Sequence, residues 1–547
     1  MAQLTRRRLL AGMGATTATA ASAAVLTQAP AHAVPFAVEG TSGSADLGPV
    51  VVTPSDRRYQ DLVIRGYNRR FTASPDSVRV VGTTQQVVDA VNAAVRSGKK
   101  VVVRSGGHCL ENFVDAADNK IIIDMVAMRR IAFDTSKNAF CVETGATLGE
   151  IYRTLYYGWG VTIPGGSCPT VGAGGHFTGG GFGVRSRQHG LVADHIHAVE
   201  VVVVDSAGQA KAVVATRDAS DPNNDLWWAH TGGGGGNFGI VTRFWLRSKN
   251  ATGTDPGTLL PKPPGALMNA SLAWKWSDMT KDSFRKLFAN FGAWHEQNSA
   301  PGAPGAAVFS ALTAPRVERG TLTLFAQVDP TVDGNPALLD SFVKYVTDGV
   351  VAPASSTKSG SLPWLTTTLN VPTEAAQFGI SGPLRSKSKG ALLKKSYSAD
   401  QVGQIYDHLT DPAYGYSAAM LSLLSYGGAI NSVAPKDTAT FHRSSVIAAS
   451  FTAYWDNAAD DAKHDAWLRG LYGTVYASTG GVPTPDANNE GSYINWPDRD
   501  FTDPKLNTSG APWYTLFYGD NYSRLKTIKA KWDPKNVFSH ALSVQAS

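Results

Sequence analysis

The sequence predicts an α+β protein, in which a mixed N-terminal region precedes an antiparallel sheet that helices cover on one side. The first observation is an alternation of short apolar strands and amphipathic helices from Val50 to about Lys249. The second is a Gly-, Pro- and Thr-rich stretch at 251–264, which is typical of a domain boundary. The third is an amphipathic helix over 280–298, followed by strands at about 306–312 and 321–328. The 547 residues are enough for two domains with a substantial core.

The elements of the first region follow from local signals. Thr83-x-x-Gln86 is a capping box that opens a helix with valines at helical spacing, and Gly98 ends it. An apolar helix is also predicted from Leu148 to Trp159. Buried strands are predicted at 101–103, 121–124 and 139–143, and a hairpin at 199–204 and 209–214.

Three glycine-rich loops interrupt these elements. They are Arg104-Ser105-Gly106-Gly107-His108, the long segment from Pro164 to Gly183, and Gly232 to Gly236 with Asn237-Phe238-Gly239-Ile240-Val241 behind it. Unpaired backbone amides at the end of a strand bind phosphate, and glycine removes the obstructing Cβ. One such loop alone is as readily a tight turn, but three within a short stretch favour a large anionic cofactor. Neither a Gly-x-Gly-x-x-Gly motif opening a helix nor a Walker lysine is present, which disfavours Rossmann and P-loop proteins.

A nucleophilic side chain stands in each of the first two loops, namely His108 and Cys168. A lone histidine is more often a structural hydrogen-bonding group, and a lone cysteine a small buried apolar residue. A metal site is the sharper alternative, with Cys168 and the histidines His176, His189, His195 and His197. Their spacing lacks any recognised ligand pattern, so no metal is expected.

Residues 1–33 are predicted to be a twin-arginine signal peptide. Arg6-Arg7-Arg8 precedes an alanine-rich stretch, and Ala31-His32-Ala33 fits a cleavage site. The stretch is short and poor in large apolar residues for a membrane anchor. We therefore expect a secreted protein that acquires its cofactor before export, with no membrane association after removal of the signal.

Charge and cysteine content exclude two further classes. The formal charge of +6 includes the three signal arginines, and the remainder of about +3 is scattered, so no nucleic acid is expected as a partner. The chain has three cysteines, too few for a disulfide framework. Whether Cys109 and Cys141 pair is left open.

The motifs as a set resemble the berberine bridge enzyme-like family of bicovalent flavoprotein oxidases, which has the vanillyl-alcohol oxidase or PCMH-type fold. The likeness is nearest to its secreted actinobacterial, aclacinomycin oxidoreductase-like group and covers nearly all of the chain after the signal. It rests on Arg104-Ser-Gly-Gly-His108, Cys168-Pro-Thr-Val-Gly-x-Gly-Gly-His176, Gly179-Gly-Gly-Phe-Gly183, Gly190-Leu-Val-Ala-Asp194, Gly236-Asn-Phe-Gly-Ile240 and the C-terminal run from Tyr518 to Phe538.

The resemblance implies a domain organisation and a bicovalent FAD. An FAD-binding domain would span 34–250, with its PCMH-type part at about 70–248, and a substrate domain 251–500. A C-terminal segment, 501–547, would return to the FAD domain. His108 would bond the flavin 8α-methyl carbon and Cys168 the flavin C6. Further cofactor contacts would come from Arg104, Ser105, Gly106, Gly107, Val171, Gly174, Gly175, Gly179, Gly181, Gly183, Gly239, Ile240, Val241 and Asn495.

The resemblance also implies candidates for the chemistry. Val171 matches the position that controls oxygen access in the family, and a small residue there is associated with oxidases; simple packing is the alternative. Tyr426 and Tyr493 match segments lining the substrate cleft and are the candidate proton acceptors, unless both are merely packed aromatic residues.

The chain departs from the family pattern at two positions. Trp496 replaces a tyrosine that many relatives have, and Leu424 offers no titratable group. Tyr156 and Tyr157 are therefore reserve candidates. The function implied is a secreted FAD oxidase that takes hydride from a hydroxylated carbon of a sugar, glycoside or secondary metabolite and reduces O2 to H2O2. The alternatives are an antibiotic-sequestering flavoprotein with little turnover and a dehydrogenase with another electron acceptor.

Overall fold

The structure is a computed structural model that describes residue 48, residues 50–370 and residues 384–546. The chain divides into two units at 1–43 and 44–547, and every description below concerns the second. The predicted signal peptide lies outside the described residues. No helix within the described ranges is long and apolar enough to cross a bilayer.

The described residues contain sixteen strands and thirteen α-helices. The strands are β1 Val50–Val52, β2 Ser77–Val80, β3 Val101–Arg104, β4 Ile121–Asp124, β5 Ile131–Asp134, β6 Ala139–Glu143, β7 Ile196–Val204, β8 Ala210–Thr216, β9 Ile240–Leu246, β10 Met268–Lys275, β11 Phe309–Pro315, β12 Thr321–Val328, β13 Ser355–Lys358, β14 Arg385–Leu393, β15 Ala419–Ser425 and β16 Ile447–Trp455. The helices are α1 Tyr59–Val63, α2 Thr84–Ser97, α3 Leu148–Trp159, α4 Ala173–Thr178, α5 Ser186–His189, α6 Asn224–Ala229, α7 Lys281–Asn298, α8 Asn335–Thr347, α9 Trp364–Leu369, α10 Ala399–Thr410, α11 Asp461–Val475, α12 Trp513–Tyr518 and α13 Tyr522–Trp532.

A small sheet of order β1-β2-β4-β3 stands first, with its last three strands parallel. Helix α2 packs against it through buried Val87 and Val91. Thr83 caps the helix by accepting a bond from the Gln86 amide, and Gly98 ends it in the left-handed region at φ 63°. Strand β3 then delivers the first glycine loop at its C-terminal end.

A five-stranded antiparallel sheet follows, in the order β5-β6-β9-β7-β8. Helix α3 begins at a capping box, in which Thr147 and Glu150 satisfy each other's backbone amides, and Gly160 ends it. Its apolar face, with Leu148, Ile151 and Leu155, is fully buried. The end of α3 leads the chain into the second glycine loop.

The third sheet has seven antiparallel strands in the order β13-β10-β12-β11-β15-β16-β14. The predicted boundary at 251–264 falls between β9 and β10. Strand β12 shows how the two faces differ. Leu322 and Leu324 are buried in a core shared with α7 and α8, whereas Thr323 and its alternate neighbours point into a cavity. Helices therefore cover one face, and the other faces the glycine loops, as the predicted fold class requires.

The C-terminal segment contacts the third glycine loop. Lys529 of α13 is fully buried, and its Nζ donates to Asp533 Oδ2 and to the carbonyls of Asn237 and Phe538, each at 2.6 Å. An ammonium group buried in this way is stable because all three protons have acceptors. This contact holds residues 533–538 against the loop that ends at Gly239.

Candidate active site

A deep cavity of about 920 Å³ lies between the glycine loops and the open face of the seven-stranded sheet. The loops contribute Gly106, Cys168 and Gly235, among others, and the sheet contributes residues of β10, β11, β12, β14, β15 and β16. The described residues that line it include no aspartate, glutamate or lysine. A cavity of this size accommodates a large cofactor together with a substrate.

The structure brings His108 and Cys168 together at one hydroxyl group. His108 Nε2 lies 3.0 Å from Thr170 Oγ1, and Cys168 Sγ lies 3.4 Å from the same oxygen. Both distances are measured to the same oxygen atom. The His108 nitrogen and the Cys168 sulfur are therefore separated by at most the sum of the two distances. That separation is within the breadth of a three-ring isoalloxazine. Both side chains line the cavity, whereas Thr170 lies behind them and is exposed.

His108 is held as a neutral imidazole. Its ring stacks on Tyr67, with 4.8 Å between ring centroids. Burial lowers the pKa of His108 to about 4, because the charged form loses its hydration. At neutral pH one ring nitrogen is therefore unprotonated and nucleophilic.

The first two glycine loops pack directly against each other. A Cβ on Gly106 would lie 2.3 Å from the Gly172 amide nitrogen, and one on Gly172 would lie 2.2 Å from Ser105 Oγ. Gly107 has φ 80°, and a Cβ there would meet the Arg65 carbonyl at 2.7 Å. Glycine is required at these positions because the two backbones touch. This contact is what places His108 beside Cys168.

Several polar groups of the cavity wall fit an anionic dinucleotide. The amides of Gly106, Gly107 and Gly175 donate to no described group. Gly175 has nothing within 4 Å of a built Cβ, so its backbone faces open space. Arg104 is 2% exposed, and its Nη1 is buried with no partner in the described ranges. Free amides and an unsatisfied guanidinium nitrogen are the donors that a pyrophosphate takes up, so these residues fit FAD.

The Arg104 side chain is held in place by the Asp124 carboxylate. Its Nε and Nη2 donate to Asp124 Oδ2 at 3.0 and 2.7 Å, and Arg65 contacts the same carboxylate oxygen. Ser105 Oγ donates to the Thr144 carbonyl at 2.5 Å. The side chains of the first loop are thus used for support, which leaves its backbone to face the cavity.

Most of the predicted cofactor residues line the cavity. These are Arg104, Ser105, Gly106, Gly107, Val171, Gly174, Gly175, Gly239, Val241 and Asn495. Three predicted glycines do not. Gly179 packs on Asn495, Gly181 on Val192, and Gly183 on Gly165, with built Cβ distances of 2.1, 2.6 and 1.7 Å. Other parts of the chain approach their backbone, which accounts for glycine at these positions without any contact to the cofactor.

Ile240, also expected to contact the cofactor, does not line the cavity. Consecutive residues of a strand point to opposite faces, and in β9 it is Val241 that lines the cavity. Ile240 is 1% exposed and packs with Val202 and Val91 in the core beneath the small sheet.

Tyr426, a predicted proton acceptor, lies outside the cavity wall. It is 3% exposed, packs on Phe182 at 5.0 Å between ring centroids, and does not line the cavity. Burial holds the pKa of Tyr426 well above its usual range. The reserve candidates Tyr156 and Tyr157 do not line the cavity either, and Tyr157 is 76% exposed.

Tyr493 does line the cavity, but its hydroxyl oxygen is already occupied. The oxygen accepts hydrogen bonds from the amides of Gly181 and Phe182 at 3.0 and 3.2 Å, and from Asn495 Nδ2 at 2.8 Å. Burial nevertheless raises the pKa of Tyr493. Three donors leave little room for a substrate hydroxyl, so the geometry favours a residue that holds the second glycine loop in place.

The substrate-facing sheet presents a row of hydroxyl groups. Thr323, Thr313, Ser422 and Ser450 are paired in register across β12, β11, β15 and β16, and all four line the cavity. Thr313 Oγ1 lies 3.1 Å from Ser422 Oγ. Hydroxyl side chains can donate and accept, which suits a polyhydroxylated ligand. Sequence analysis missed this row, because it exists only once four strands are paired.

A buried ion cluster joins the His108 region to the sheet and to the segment after Trp496. Lys387 Nζ contacts Glu111 at 3.0 Å and Asp498 at 2.9 Å, and Lys389 Nζ contacts Asp498 at 2.5 Å and Asp500 at 2.9 Å. All five side chains are at least nine-tenths buried. Charges buried this deeply are stable because each is paired.

The structure also shows the state of the three cysteines and the arrangement of the candidate metal ligands. Cys109, Cys141 and Cys168 are free thiols. Burial raises the pKa of Cys109 to about 12 and that of Cys141 to about 11, so neither forms a thiolate readily. Within the described ranges, no group of His, Cys, Asp and Glu side chains is arranged to hold a metal ion.

Comparison with known proteins identifies the class. Residues 75–209 match the model of an FAD binding domain, and residues 492–545 match the berberine and berberine-like model. Aclacinomycin-N/aclacinomycin-A oxidase of Streptomyces galilaeus is 50% identical over 546 residues, covering 99% of this chain and 98% of that protein.

Solved structures agree with this comparison. A flavoenzyme involved in shunt product recycling in caerulomycin biosynthesis has a TM-score of 0.88 at 43% identity, covering 91% of this chain and 100% of its own. A glycopeptide hexose oxidase complexed with teicoplanin has a TM-score of 0.86 at 45% identity, covering 91% of this chain and 99% of its own. The fold and site define an FAD-linked oxidoreductase with a PCMH-type domain. The chain belongs to the berberine bridge enzyme-like family of FAD-linked oxidases.

Proposed function

We propose that the protein is an oxidase that removes a hydride from a hydroxylated carbon of a sugar, glycoside or secondary metabolite and produces H2O2. The observation that carries this proposal is the meeting of His108 and Cys168 at Thr170 on the wall of a cavity with a hydroxyl-lined opposite face. The similar proteins named above, an antibiotic oxidase and a hexose oxidase, support the same substrate classes.

His108 and Cys168 would hold FAD through two covalent bonds. Each bond would replace one hydrogen of the flavin and one of the side chain, and dioxygen would take up both hydrogens as hydrogen peroxide. When bound, the flavin accepts hydride from the substrate carbon and passes the electrons to oxygen. The free amides of Gly106, Gly107 and Gly175 would hold the pyrophosphate.

Oxygen as the electron acceptor is proposed from Val171. This side chain lines the cavity three residues after Cys168 and is partly exposed. A valine leaves more space near the flavin than a bulkier side chain. Enzyme reduced anaerobically and then mixed with air should reoxidise within a second, and reoxidation over minutes would favour a dehydrogenase.

The test of the proposed activity is a substrate screen with two readouts. Neutral sugars, acidic sugars and aromatic glycosides are added first anaerobically, with the flavin absorbance followed, and then aerobically, with peroxide measured. An oxidase is expected to be bleached by at least one compound, and the same compound should yield peroxide in air. A protein that no compound bleaches is not an oxidase of this class.

A second candidate function is sequestration of a glycoside with little turnover. It is favoured by the loss of proton acceptors: Tyr426 is outside the cavity, the Tyr493 oxygen is occupied, and Leu424 and Trp496 line the wall. Tight binding of a compound that neither bleaches the flavin nor yields peroxide would establish this function in place of the oxidase.

We also propose export through the twin-arginine pathway, on the basis of Arg6-Arg7-Arg8 and Ala31-His32-Ala33. Replacement of Arg6 and Arg7 by lysine should retain the protein inside the cell. Unchanged secretion of that variant would contradict the proposal.

A further inference from the structure

Arg185 is a guanidinium group of the cavity wall that has no hydrogen-bond partner among the described residues. Its Nε is buried without a hydrogen bond, and neither terminal nitrogen bonds any described group. The side chain lines the cavity and forms no ion pair among the described residues. Because a buried unsatisfied donor is unfavourable in the free protein, such a group points to a ligand that satisfies it.

The neighbouring Arg187 shows that the fold can satisfy the terminal nitrogens of a buried arginine, although its Nε, like that of Arg185, has no partner among the described residues. Arg187 is fully buried, and its terminal nitrogens donate to Ser299 Oγ at 2.8 Å and to the carbonyls of Asn298 and Gly305 at 2.9 and 3.0 Å. Arg104 is paired with Asp124. Among these three arginines, Arg185 is the one for which neither terminal nitrogen bonds a described group, whereas Arg104 leaves only Nη1 unpaired.

Arg185 directly precedes α5, which packs against residues 304–307 and 428–432, the segments next to strands β11 and β15. The carboxylate whose charge acts on it is that of Asp329, the residue after β12. That carboxylate is occupied by the amides of Gly265 and Thr331. Two amide side chains of the same sheet end, Asn269 and Gln327, line the cavity and are bonded to each other at 2.8 Å.

The charge of the cavity selects the ligand class. Burial lowers the pKa of Arg185 to about 10, so the group remains cationic at neutral pH. The lining residues described carry no carboxylate and no lysine, and a single unpaired positive charge balances a carboxylate but not a phosphate dianion. A planar guanidinium also matches a carboxylate geometrically, with two parallel N–H donors.

We infer that Arg185 binds a carboxylate carried by the substrate, so that the protein prefers acidic glycosides to their neutral counterparts. This inference rests on the proposed function, because it places the substrate on the hydroxyl-lined side of the cavity. The hydroxyl row formed by Thr323, Thr313, Ser422 and Ser450 would then receive the sugar hydroxyls while Arg185 fixes the acidic end.

The test measures binding under anaerobic conditions with pairs of ligands that differ in one group. 4-Nitrophenyl β-D-glucuronide is compared with 4-nitrophenyl β-D-glucoside, and the corresponding galacturonide with the galactoside, by isothermal titration calorimetry on the flavin-loaded protein. A charge-assisted bidentate bond predicts about tenfold tighter binding of the acids. In Arg185→Gln the dissociation constants of the two members of a pair should differ by no more than about twofold. Arg185→Lys should retain part of the preference for the acid.

Lys211→Gln is the matched control, because Lys211 is exposed on β8 and its removal changes the net charge equally. Its acid preference should equal that of the wild type. A wild-type protein that binds no acid more tightly than its neutral partner contradicts the inference, and so does a preference that survives Arg185→Gln. An Arg185→Gln protein purified without flavin would assign this residue to the cofactor. Failure of the oxidase proposal is distinguishable, because it appears as absent bleaching while the acid preference persists.

Discussion

The imidazole Nε2 of His108 lies 3.0 Å from the hydroxyl oxygen of Thr170, and the direction of this hydrogen bond sets which ring nitrogen carries the proton. The hydroxyl has one proton, so it can donate to only one of its two neighbours. When Nε2–H donates to Thr170, the Thr170 proton can bond the Cys168 sulfur, which lies at 3.4 Å. Nδ1 is then the unprotonated nitrogen, and the Cys168 sulfur accepts a hydrogen bond from the hydroxyl.

Replacement of Thr170 by valine is therefore expected to reduce double attachment of the flavin. Valine keeps the shape and removes the hydroxyl that orients both side chains, whereas Thr170→Ser keeps it. Peptide mass spectrometry should find singly linked or free flavin in Thr170→Val and mainly doubly linked flavin in Thr170→Ser. Full double linkage in the valine variant would show that the hydroxyl has no such role.

The single variants His108→Ala and Cys168→Ala should each retain flavin through the remaining bond. Each should also oxidise substrate more slowly, because one bond holds the ring less firmly and tunes it less. Acid precipitation measures the retained flavin. The double variant is the control and should release all of it; release from either single variant would mean that its partner forms no bond.

Tyr493→Phe tests whether Tyr493 is a proton acceptor or a positioning residue. Removal of the oxygen leaves the amides of Gly181 and Phe182 without an acceptor. We expect a loss of about 1–3 kcal/mol in the free energy of unfolding, with the pH profile of turnover unchanged. Tyr157→Phe, at an exposed position, should leave the stability unchanged. A kcat lowered more than about 100-fold with an altered pH profile would instead make Tyr493 the base.

The helices were predictable because their boundary signals are local. Thr83 and Gly98 bound α2, and Thr280 accepts from the Ser283 amide to begin α7. The strand predicted at 306–312 begins three residues later, at Phe309. Pro304 and the residues after it form a short 3-10 turn, and the apolar run that follows contains no local signal for where pairing starts.

The site was predictable only where a motif identifies it. His108 and Cys168 stand in glycine loops whose spacing is distinctive, and both line the cavity. Tyr426 follows the last residue of β15, and the direction of its side chain depends on packing against Phe182, which is distant in sequence. Arg185 could not be recognised from sequence at all, because its significance lies in the lack of a partner within the part of the folded chain that the structure describes.

The ion cluster gives a stability prediction. Lys387→Met leaves Glu111 and Asp498 buried with one partner fewer. Breaking a buried pair costs about 3–5 kcal/mol, so the urea midpoint should fall markedly. Lys395→Met is the control, because Lys395 is exposed two residues after β14. Equal midpoints for the two variants would contradict this account of the cluster.

Buried histidines predict a loss of stability in mild acid. Burial lowers the pKa of His230 to about 4 and that of His442 to about 3, whereas an unfolded histidine titrates near 6.5. Below pH 6.5 the unfolded chain binds protons that the folded chain does not, so stability is complete above that pH and decreases as the pH falls toward 4. Each histidine contributes about 1.4 kcal/mol per pH unit in this window.

Urea unfolding at pH 7.5 and pH 5.5 measures this effect. His230→Gln should show a smaller decrease between the two pH values than the wild type. A wild-type protein that is equally stable or more stable at pH 5.5 would be inconsistent with neutral buried histidines.

The central claim is that His108 and Cys168 hold one FAD from two sides, and peptide mapping of the acid-precipitated protein tests it most directly. The account predicts that the flavin remains with the denatured polypeptide and that one cross-linked species contains FAD, the His108 peptide and the Cys168 peptide. Flavin found in the acid supernatant, or both peptides recovered without it, would contradict the claim.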